Sequence, residues 1–167
     1  LYPVKKGNAA MFNTTIATQI YAKICFEATN SQKKIIENLS EYLSDDDFSR
    51  IFVLNGFAGT GKTTLIAALV AALKELRIKP VLLAPTGRAA KVLARYCGEQ
   101  ALTIHKRIYR QRTNADYESK FSLDFNREQG AVFIVDEASM LSDSTGDGAL
   151  FGSGSLLEDL VSYVRSG

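Results

Sequence analysis

Residues 56–63 read Gly-Phe-Ala-Gly-Thr-Gly-Lys-Thr and match the pattern G-x-x-x-x-G-K-[ST] at every fixed position. A short apolar run at 51–54 precedes this stretch, and an Ala- and Leu-rich segment at 62–76 follows it. An apolar strand, a glycine-rich turn and a helix form the context in which the pattern binds phosphate. The stretch therefore predicts an α/β fold with a nucleotide-binding loop. A glycine turn beside a surface lysine is the alternative interpretation.

The residue types of this loop suit a nucleoside triphosphate. Glycines let successive backbone N–H groups point toward a phosphate, and the N-terminus of the following helix adds its positive dipole. Lys62 would reach the β- and γ-phosphates and serve catalysis, while the Thr63 hydroxyl would bind Mg²⁺. ATP and Mg²⁺ are thus the predicted ligands. The predicted nucleotide-binding residues in this stretch are Gly56, Ala58, Gly59, Thr60, Gly61, Lys62, Thr63 and Thr64.

A second segment supplies carboxylates. Residues 131–137 form an apolar run that ends in Asp136 and Glu137, and α/β sheets bind ligands at the carboxyl ends of their strands. We expect Asp136 to hold Mg²⁺ together with Thr63, and Glu137 to orient and deprotonate an attacking water. Because a carboxylate placed for water implies hydrolysis, an ATPase is favoured over a kinase. Acids often end strands, so this assignment depends on the loop upstream.

Hydrophobic periodicity predicts the remaining elements. Apolar residues at helical spacing indicate helices over 14–26 and 31–43, the second capped by Asn30 or Ser31. Alternating strand and helix patterns predict a mostly parallel sheet with helices on both faces. The expected strands are 51–54, 81–84 and 132–135, with a further edge strand at 121–125. The expected later elements are helices 62–76, 88–96 and 156–164 and a loop over 142–155.

Length and composition limit the class of protein. A chain of 167 residues with 46% hydrophobic and 23% charged residues is typical of about one globular domain. The longest apolar stretch without a charge is 11 residues, at 63–73, which is too short to span a membrane. Cys25 and Cys97 suggest neither a disulfide framework nor a zinc site, which favours a reducing, cytoplasmic setting.

Positive charge is concentrated in one part of the chain. Residues 77–112 contain nine Lys or Arg residues and one acid, Glu99, although the net charge of the whole chain is only +2. Such a basic block is expected of a protein that binds a phosphate backbone. A solvated basic surface without a partner is the alternative interpretation.

Four motifs in this order resemble a known family. The stretches 56–64 (GFAGTGKTT), 85–90 (PTGRAA), 103–105 (TIH) and 136–140 (DEASM) resemble the first RecA-like motor domain of superfamily 1 helicases of the RecD-like group. The resemblance extends upstream to about residue 30. It implies a RecA-like P-loop NTPase fold and an ATP-dependent DNA helicase that translocates 5′-to-3′ along single-stranded DNA.

The resemblance also implies further site residues. Gln32 is similar to a glutamine that reads the adenine edge in such proteins, although a glutamine in the first turn of a solvated helix is the alternative. Two segments inside the basic block are similar to the DNA-contacting motifs, and a structural role for the lone histidine stays open. The implied DNA-binding residues are Pro85, Thr86, Gly87, Arg88, Thr103, His105 and Lys106.

The same resemblance implies an incomplete domain. We expect residues 1–13 to be a poorly ordered or appended segment, 14–50 a helical segment carrying Gln32, and 51–167 a partial RecA-like ATPase domain, incomplete at its C-terminus. A central strand of the sheet and a second RecA-like domain are expected in a longer protein, so this part alone would hydrolyse ATP weakly. An RNA-directed or other P-loop ATPase, and a nucleotide-binding module without motor activity, stay open as alternatives.

Overall fold

The computed structural model describes residues 9–45, 47, 50–57, 59–113, 119–141 and 152–167. These residues form two compact units, one within Leu1–Pro80 and the other within Val81–Gly167, called here the N-terminal and C-terminal units. Ala58 of the predicted loop, residues 1–8 of the predicted N-terminal segment and most of the predicted 142–155 loop lie outside the described residues.

Three helices build the N-terminal unit. The first helix, α1 (Ala9–Lys23), packs against both of the others, and its Ile16 and Ile20 are fully buried. Lys23, at the end of α1, forms an ion pair with Glu75, with 2.5 Å between Nζ and Oε1. The helices are α1 (Ala9–Lys23), α2 (Asn30–Ser44) and α3 (Lys62–Glu75). Helix α3 confirms the prediction for 62–76, and α1 ends three residues before the predicted end at 26.

The strand predicted over 51–54 is wrong. These residues have no regular secondary structure, and the side chains of Ile51 and Val53 are 62% and 79% exposed. An apolar run becomes a strand only where a neighbouring strand takes its N–H and C=O groups, and no strand of the described residues pairs with this run. Helix α2 holds the segment instead. Tyr42 donates its hydroxyl to the Arg50 carbonyl at 3.0 Å, and its ring contacts that of Phe52.

The C-terminal unit contains a three-stranded sheet, in which β1 (Pro80–Ala84) lies between β2 (Ala101–Thr103) and β5 (Val132–Val135). Strands β1 and β2 are parallel, with Leu82 opposite Ala101 and Ala84 opposite Thr103. The Asp136 N–H donates to the Leu83 carbonyl at 3.0 Å, so β5 ends beside the last residues of β1. The elements of the sheet and its crossover are β1 (Pro80–Ala84), α4 (Gly87–Cys97), β2 (Ala101–Thr103) and β5 (Val132–Val135). Strands β1 and β5 and helix α4 confirm the predictions.

A hairpin and two helices complete this unit. Strands β3 and β4 pair in an antiparallel register from Tyr109 opposite Leu123 to Thr113 opposite Ser119. The edge strand predicted at 121–125 is therefore the second strand of a hairpin, and it begins two residues earlier. The elements are α5 (Ile104–Ile108), β3 (Tyr109–Thr113), β4 (Ser119–Leu123), a single 3₁₀ turn (Ala138–Met140) and α6 (Leu156–Arg165). Helix α6 confirms the prediction.

The core of the C-terminal unit lies between the sheet, α5 and α6. Its apolar side chains come from β1, α5 and α6, and the ring of Phe133 in β5 meets the ring of Tyr163 edge-on at 6.1 Å. The buried members of this core are Val81, Leu83, Ile104, Ile108, Leu160 and Tyr163. In the described part of the chain, no helix is long and apolar enough to cross a membrane.

A buried carboxylate ties α6 to the hairpin. Asp159 is 6% exposed, and its Oδ2 accepts hydrogen bonds from the Tyr109 hydroxyl at 2.7 Å and the Ser153 N–H at 2.9 Å. Burial, the hydrogen bond and the charge of Asp159 all raise the pKa of Tyr109. The phenol therefore stays a donor through neutral pH, and the buried carboxylate keeps both partners.

The Tyr109→Phe variant tests this contact. Removing the hydroxyl leaves a buried acceptor with one donor fewer, so we expect the free energy of unfolding to fall by about 1–3 kcal/mol in urea denaturation. Tyr96→Phe is the matched control, because the Tyr96 side chain is 63% exposed, and it should change stability little. Equal effects of the two substitutions would contradict the role assigned to Tyr109.

Candidate nucleotide and nucleic-acid sites

The phosphate loop, residues 56–63, leads directly into α3. Gly59 and Gly61 have φ angles of 78° and 84°, in the left-handed region that side chains disfavour. Gly61 begins the helix without any side-chain cap, so the first-turn N–H groups of α3 stay open to an anion. A Cβ at Gly61 would also lie 3.0 Å from the Gln32 side-chain nitrogen. The backbone conformation of the loop therefore requires glycine at these two positions.

The loop carbonyls hold the lysine of the motif. Lys62 Nζ donates to the carbonyl of Gly56 at 2.5 Å and of Phe57 at 2.8 Å, and the Thr60 hydroxyl donates to the same Phe57 carbonyl at 2.8 Å. The ammonium thus lies over the loop that a phosphate would enter. A bound phosphate would offer the ammonium charged oxygens, which are stronger acceptors than the neutral carbonyls that it contacts here. Thr63 is half-buried and Thr64 is exposed in the first turn of α3.

Gln32 connects the start of α2 to this loop. Its side-chain oxygen accepts from the Thr29 N–H at 3.0 Å, and its own N–H donates to the Thr29 hydroxyl at 3.3 Å. These two bonds form a reciprocal capping box at the N-terminus of α2. The side-chain nitrogen of Gln32 donates to the Thr60 carbonyl at 3.3 Å. The amide therefore lies at the phosphate loop with both of its groups hydrogen-bonded.

Asp136 and Glu137 lie at the end of β5 in the C-terminal unit. The half-buried Asp136 accepts the Glu137 N–H on its Oδ1 at 3.0 Å. Glu137 is exposed and has φ and ψ of 54° and 36°. A left-handed backbone at a residue other than glycine costs about 1–2 kcal/mol, and such strain is concentrated at functional positions. Both carboxylates thus lie at the edge of the sheet where ligands bind in α/β folds.

The two predicted nucleic-acid segments have the same local structure. Thr86 follows β1 and caps α4 by accepting the Ala89 N–H at 3.2 Å, and Thr103 ends β2 and caps α5 by accepting the Lys106 N–H at 3.2 Å. Because β1 and β2 are parallel neighbours, both capped helices begin at the same edge of the sheet, beside Asp136. Each threonine hydroxyl still has its own proton to donate.

Cations accompany these two caps. Arg88 and Lys106 are exposed in the first turns of α4 and α5, whereas Pro85 and Thr86 are half-buried and Gly87 is exposed. His105 is half-buried, and its ring lies 5.7 Å from that of Tyr109. The edge of the sheet therefore carries threonine hydroxyls, two capped helix N-termini and positive charge together, which suits a phosphate backbone.

Comparison with known proteins places the chain in a family. A model of the AAA domain matches residues 27–150, which include the phosphate loop, the two capped segments and the two carboxylates. The chain belongs to the AAA domain family. It is therefore a P-loop ATPase domain, and its phosphate loop implies nucleotide binding.

A helicase is among the relatives of this AAA domain. The ATP-dependent RecD2 DNA helicase of Deinococcus radiodurans is 29% identical over 114 residues, which cover 68% of this chain and 15% of that protein. The RecA-like α/β fold and the resemblance to the RecD-like group, both predicted from the motifs, are confirmed. The chain corresponds to only a small part of the helicase it matches.

The chemistry of the donors in this AAA domain fits Mg²⁺. Thr63 of the N-terminal unit carries a hydroxyl and Asp136 of the C-terminal unit a carboxylate, and both are hard oxygen ligands of the kind that this ion takes. Their joint role stays a prediction. Among the described residues, no three His, Cys, Asp or Glu side chains cluster as a metal site. Mg²⁺ takes few protein ligands and binds mainly the phosphates of its nucleotide. The bound ion would neutralise charge on those phosphates.

Sequence analysis did not predict three features of the sites. Thr29 caps α2 instead of Asn30 or Ser31, although the T-x-x-Q spacing of 29–32 is the pattern of a capping box. The left-handed backbone at Glu137 has no sequence signal, because the residue is not glycine. A cavity lined by Arg107, Arg110 and Arg127 was also missed, because the third arginine lies outside the basic block at 77–112.

The adenine-reading role of Gln32 stays a prediction, and two substitutions test it. Gln32→Glu keeps an acceptor for the Thr29 N–H but loses the amide donor, so the cap survives. Gln32→Ala removes both and should lower the free energy of unfolding by about 1 kcal/mol. We expect both variants to lose preference for ATP over GTP by about threefold to tenfold, the worth of one hydrogen bond.

The affinity ratio for the two nucleotides is the useful measurement. It cancels any repulsion between the new carboxylate of Gln32→Glu and the phosphates, since ATP and GTP carry the same phosphates. If both variants keep the wild-type ratio, Gln32 is a structural cap and does not read the base.

Substitutions of Glu137 separate strain from catalysis. Glu137→Gln keeps the side-chain shape but cannot deprotonate water, so ATP should still bind while hydrolysis falls by about 10² or more. Glu137→Gly removes the left-handed strain and should raise the free energy of unfolding by about 1 kcal/mol, with hydrolysis lost as well.

Arg77 provides the matched control. Among the described residues other than glycine, Arg77 and Glu137 have a positive φ, which is 60° at Arg77. Arg77→Gly should gain similar stability and keep normal hydrolysis. Hydrolysis by Glu137→Gln near the wild-type rate would contradict the role of Glu137 as general base.

Proposed function

We propose that this chain is the ATP-binding part of an ATP-dependent DNA helicase, which couples ATP hydrolysis to 5′-to-3′ translocation on single-stranded DNA. The observation that carries the proposal is the phosphate loop, whose left-handed glycines lead into an uncapped helix N-terminus with Lys62 over the loop. This loop suits a nucleoside triphosphate, and the similarity to the RecD2 DNA helicase supports a helicase.

Named residues of the chain would bind the nucleotide and carry out its hydrolysis. The first-turn N–H groups of α3 and Lys62 bind the β- and γ-phosphates, and Lys62 stabilises the charge that develops on the leaving group. Thr63 and Asp136 would hold Mg²⁺, which would neutralise charge on the phosphates. Glu137 accepts a proton from water as that water attacks the γ-phosphorus, and the products are ADP and phosphate. The adenine lies at Gln32.

The edge of the sheet in the C-terminal unit supports a nucleic-acid partner. Thr86 and Thr103 donate their hydroxyl protons to phosphates of the strand, and Arg88 and Lys106 add charge beside them. The His105 ring lies beside these caps and contributes a further polar contact. Asp136 and Glu137 follow β5 at the same edge, so the strand and the hydrolytic carboxylates share one sheet. This placement gives hydrolysis a short structural route to the contacts with the strand.

Unwinding by the full-length protein tests the function. With ATP, we expect displacement of the labelled strand from duplexes with a 5′ single-stranded DNA tail, and none from duplexes with a 3′ tail. Lys62→Ala should abolish displacement, because the phosphate loop loses its charge. Lys34→Ala is the matched control: it removes an exposed lysine of α2 and should unwind like wild type.

The other outcomes favour the alternatives. Displacement from RNA tails alone would identify an RNA-directed motor. ATP hydrolysis without displacement from any tailed duplex would support an ATPase or nucleotide-binding module without motor activity, and the helicase proposal would fail.

A further inference from the structure

An open cavity of about 360 Å³ lies at the foot of the β3–β4 hairpin. Three of its lining residues are arginines: Arg107 of α5, Arg110 of β3 and Arg127 after β4. Its volume is in the range of about 300–1,000 Å³ that is typical of ligand sites. None of its lining residues belongs to the phosphate loop, the two threonine caps or the carboxylate pair.

The three arginines are not fully used by the protein. Arg107 forms an ion pair with Glu128, with 2.8 Å between the guanidinium and Oε1, but its Nε is buried without a hydrogen-bond partner. A buried donor without an acceptor is unfavourable. Arg110 and Arg127 are exposed, and neither forms an ion pair with another side chain of the described ranges. The cavity thus offers two uncommitted cations and one open donor.

An aromatic side chain lies beside these cations. Phe125 lines the same cavity and is 73% exposed. Its backbone is fixed, because its N–H donates to the Asp124 side chain at 2.9 Å and the Asp124 N–H donates to the Ile108 carbonyl at 2.7 Å. Proteins that bind single-stranded nucleic acids combine aromatic faces, on which bases stack, with arginines, which pair with phosphates.

The carboxylates of the cavity help to identify the ligand. Asp124 and Glu128 also line it, so the five charged groups sum to only a small positive charge. A free polyphosphate would be repelled by these two acids, whereas a nucleotide within a strand carries one phosphate charge. Its base also carries N–H groups that can donate hydrogen bonds to a carboxylate. The mixed lining therefore suits one nucleotide of a strand.

We propose that the cavity binds one nucleotide of a single-stranded nucleic acid, with the base on Phe125 and the phosphate between Arg110 and Arg127. The Arg107 Nε gains an acceptor from the same nucleotide. The site lies on the same short helix as Lys106, since Arg107 follows Lys106 directly in α5. The proposal rests on the proposed nucleic-acid function and adds a contact beyond the two capped segments.

Binding of labelled oligonucleotides to the full-length protein tests the site. Fluorescence anisotropy would compare an oligothymidylate with an equally long strand of abasic units. Phe125→Ala should weaken binding of oligothymidylate about fivefold or more, since it removes base stacking, and leave the abasic strand unaffected. Arg127→Ala should weaken both strands and reduce the salt slope by about 0.7, the loss of one phosphate contact.

Two controls distinguish the possible failures. Lys34→Ala removes an exposed charge in the N-terminal unit and should stay within twofold of wild type. Arg88→Ala tests the capped segment of the proposed function. If Arg88→Ala weakens binding but Phe125→Ala and Arg127→Ala do not, the cavity proposal is overturned and the proposed function stands. If wild type binds no oligonucleotide, the proposed function fails as well.

The source of the nucleotide is decided by competition. Thymidine monophosphate and inorganic phosphate should displace the oligonucleotide only weakly, because each lacks the neighbouring contacts of the strand. If either competitor displaced the oligonucleotide at a concentration equal to that of the oligonucleotide, the cavity would be a site for a free ligand and the proposal would be overturned. A loss of equal size for both strands in Phe125→Ala would likewise overturn the stacking of a base. Thermal unfolding should be unchanged in both cavity variants, since both side chains are exposed.

Discussion

The pairing of β1 with its two neighbours is the constraint on which the C-terminal unit depends. Parallel register with β2 sets Ala84 opposite Thr103, and the bond from the Asp136 N–H to the Leu83 carbonyl sets the end of β5 beside them. Three strand ends therefore meet at one edge. The threonine caps and the two carboxylates lie there because each stands at or just after the end of one of these strands.

Strained or open backbone recurs where chemistry is proposed. Gly59 and Gly61 take left-handed angles in the phosphate loop, and Glu137 takes one without being glycine. Helix α3 begins without a side-chain cap, although α2, α4, α5 and α6 all have one. A fold selected for stability alone would cap α3 and place glycine at 137. These departures are what a site for an anion and an attacking water would require.

Much of this arrangement could be predicted from local sequence. The phosphate loop, helices α3 and α4, and strands β1 and β5 follow from glycine spacing and apolar runs, which depend on near neighbours. The strand expected at 51–54 failed because a strand also needs a partner, which periodicity does not report. The hairpin was only half predicted, since β3 contains the polar run Arg110, Gln111 and Arg112. The cavity of arginines depends on tertiary packing, which brings Arg107 and Arg127 together.

The most direct test of a DNA-dependent motor is the rate of ATP hydrolysis by the full-length protein with and without single-stranded DNA, at a fixed salt concentration. We expect DNA to stimulate hydrolysis strongly, because the residues proposed to bind the strand and the carboxylates proposed to hydrolyse ATP share one edge of the sheet. An unchanged rate at saturating DNA would contradict this expectation. The AAA ATPase domain would remain, and its basic surface would be only a solvated face.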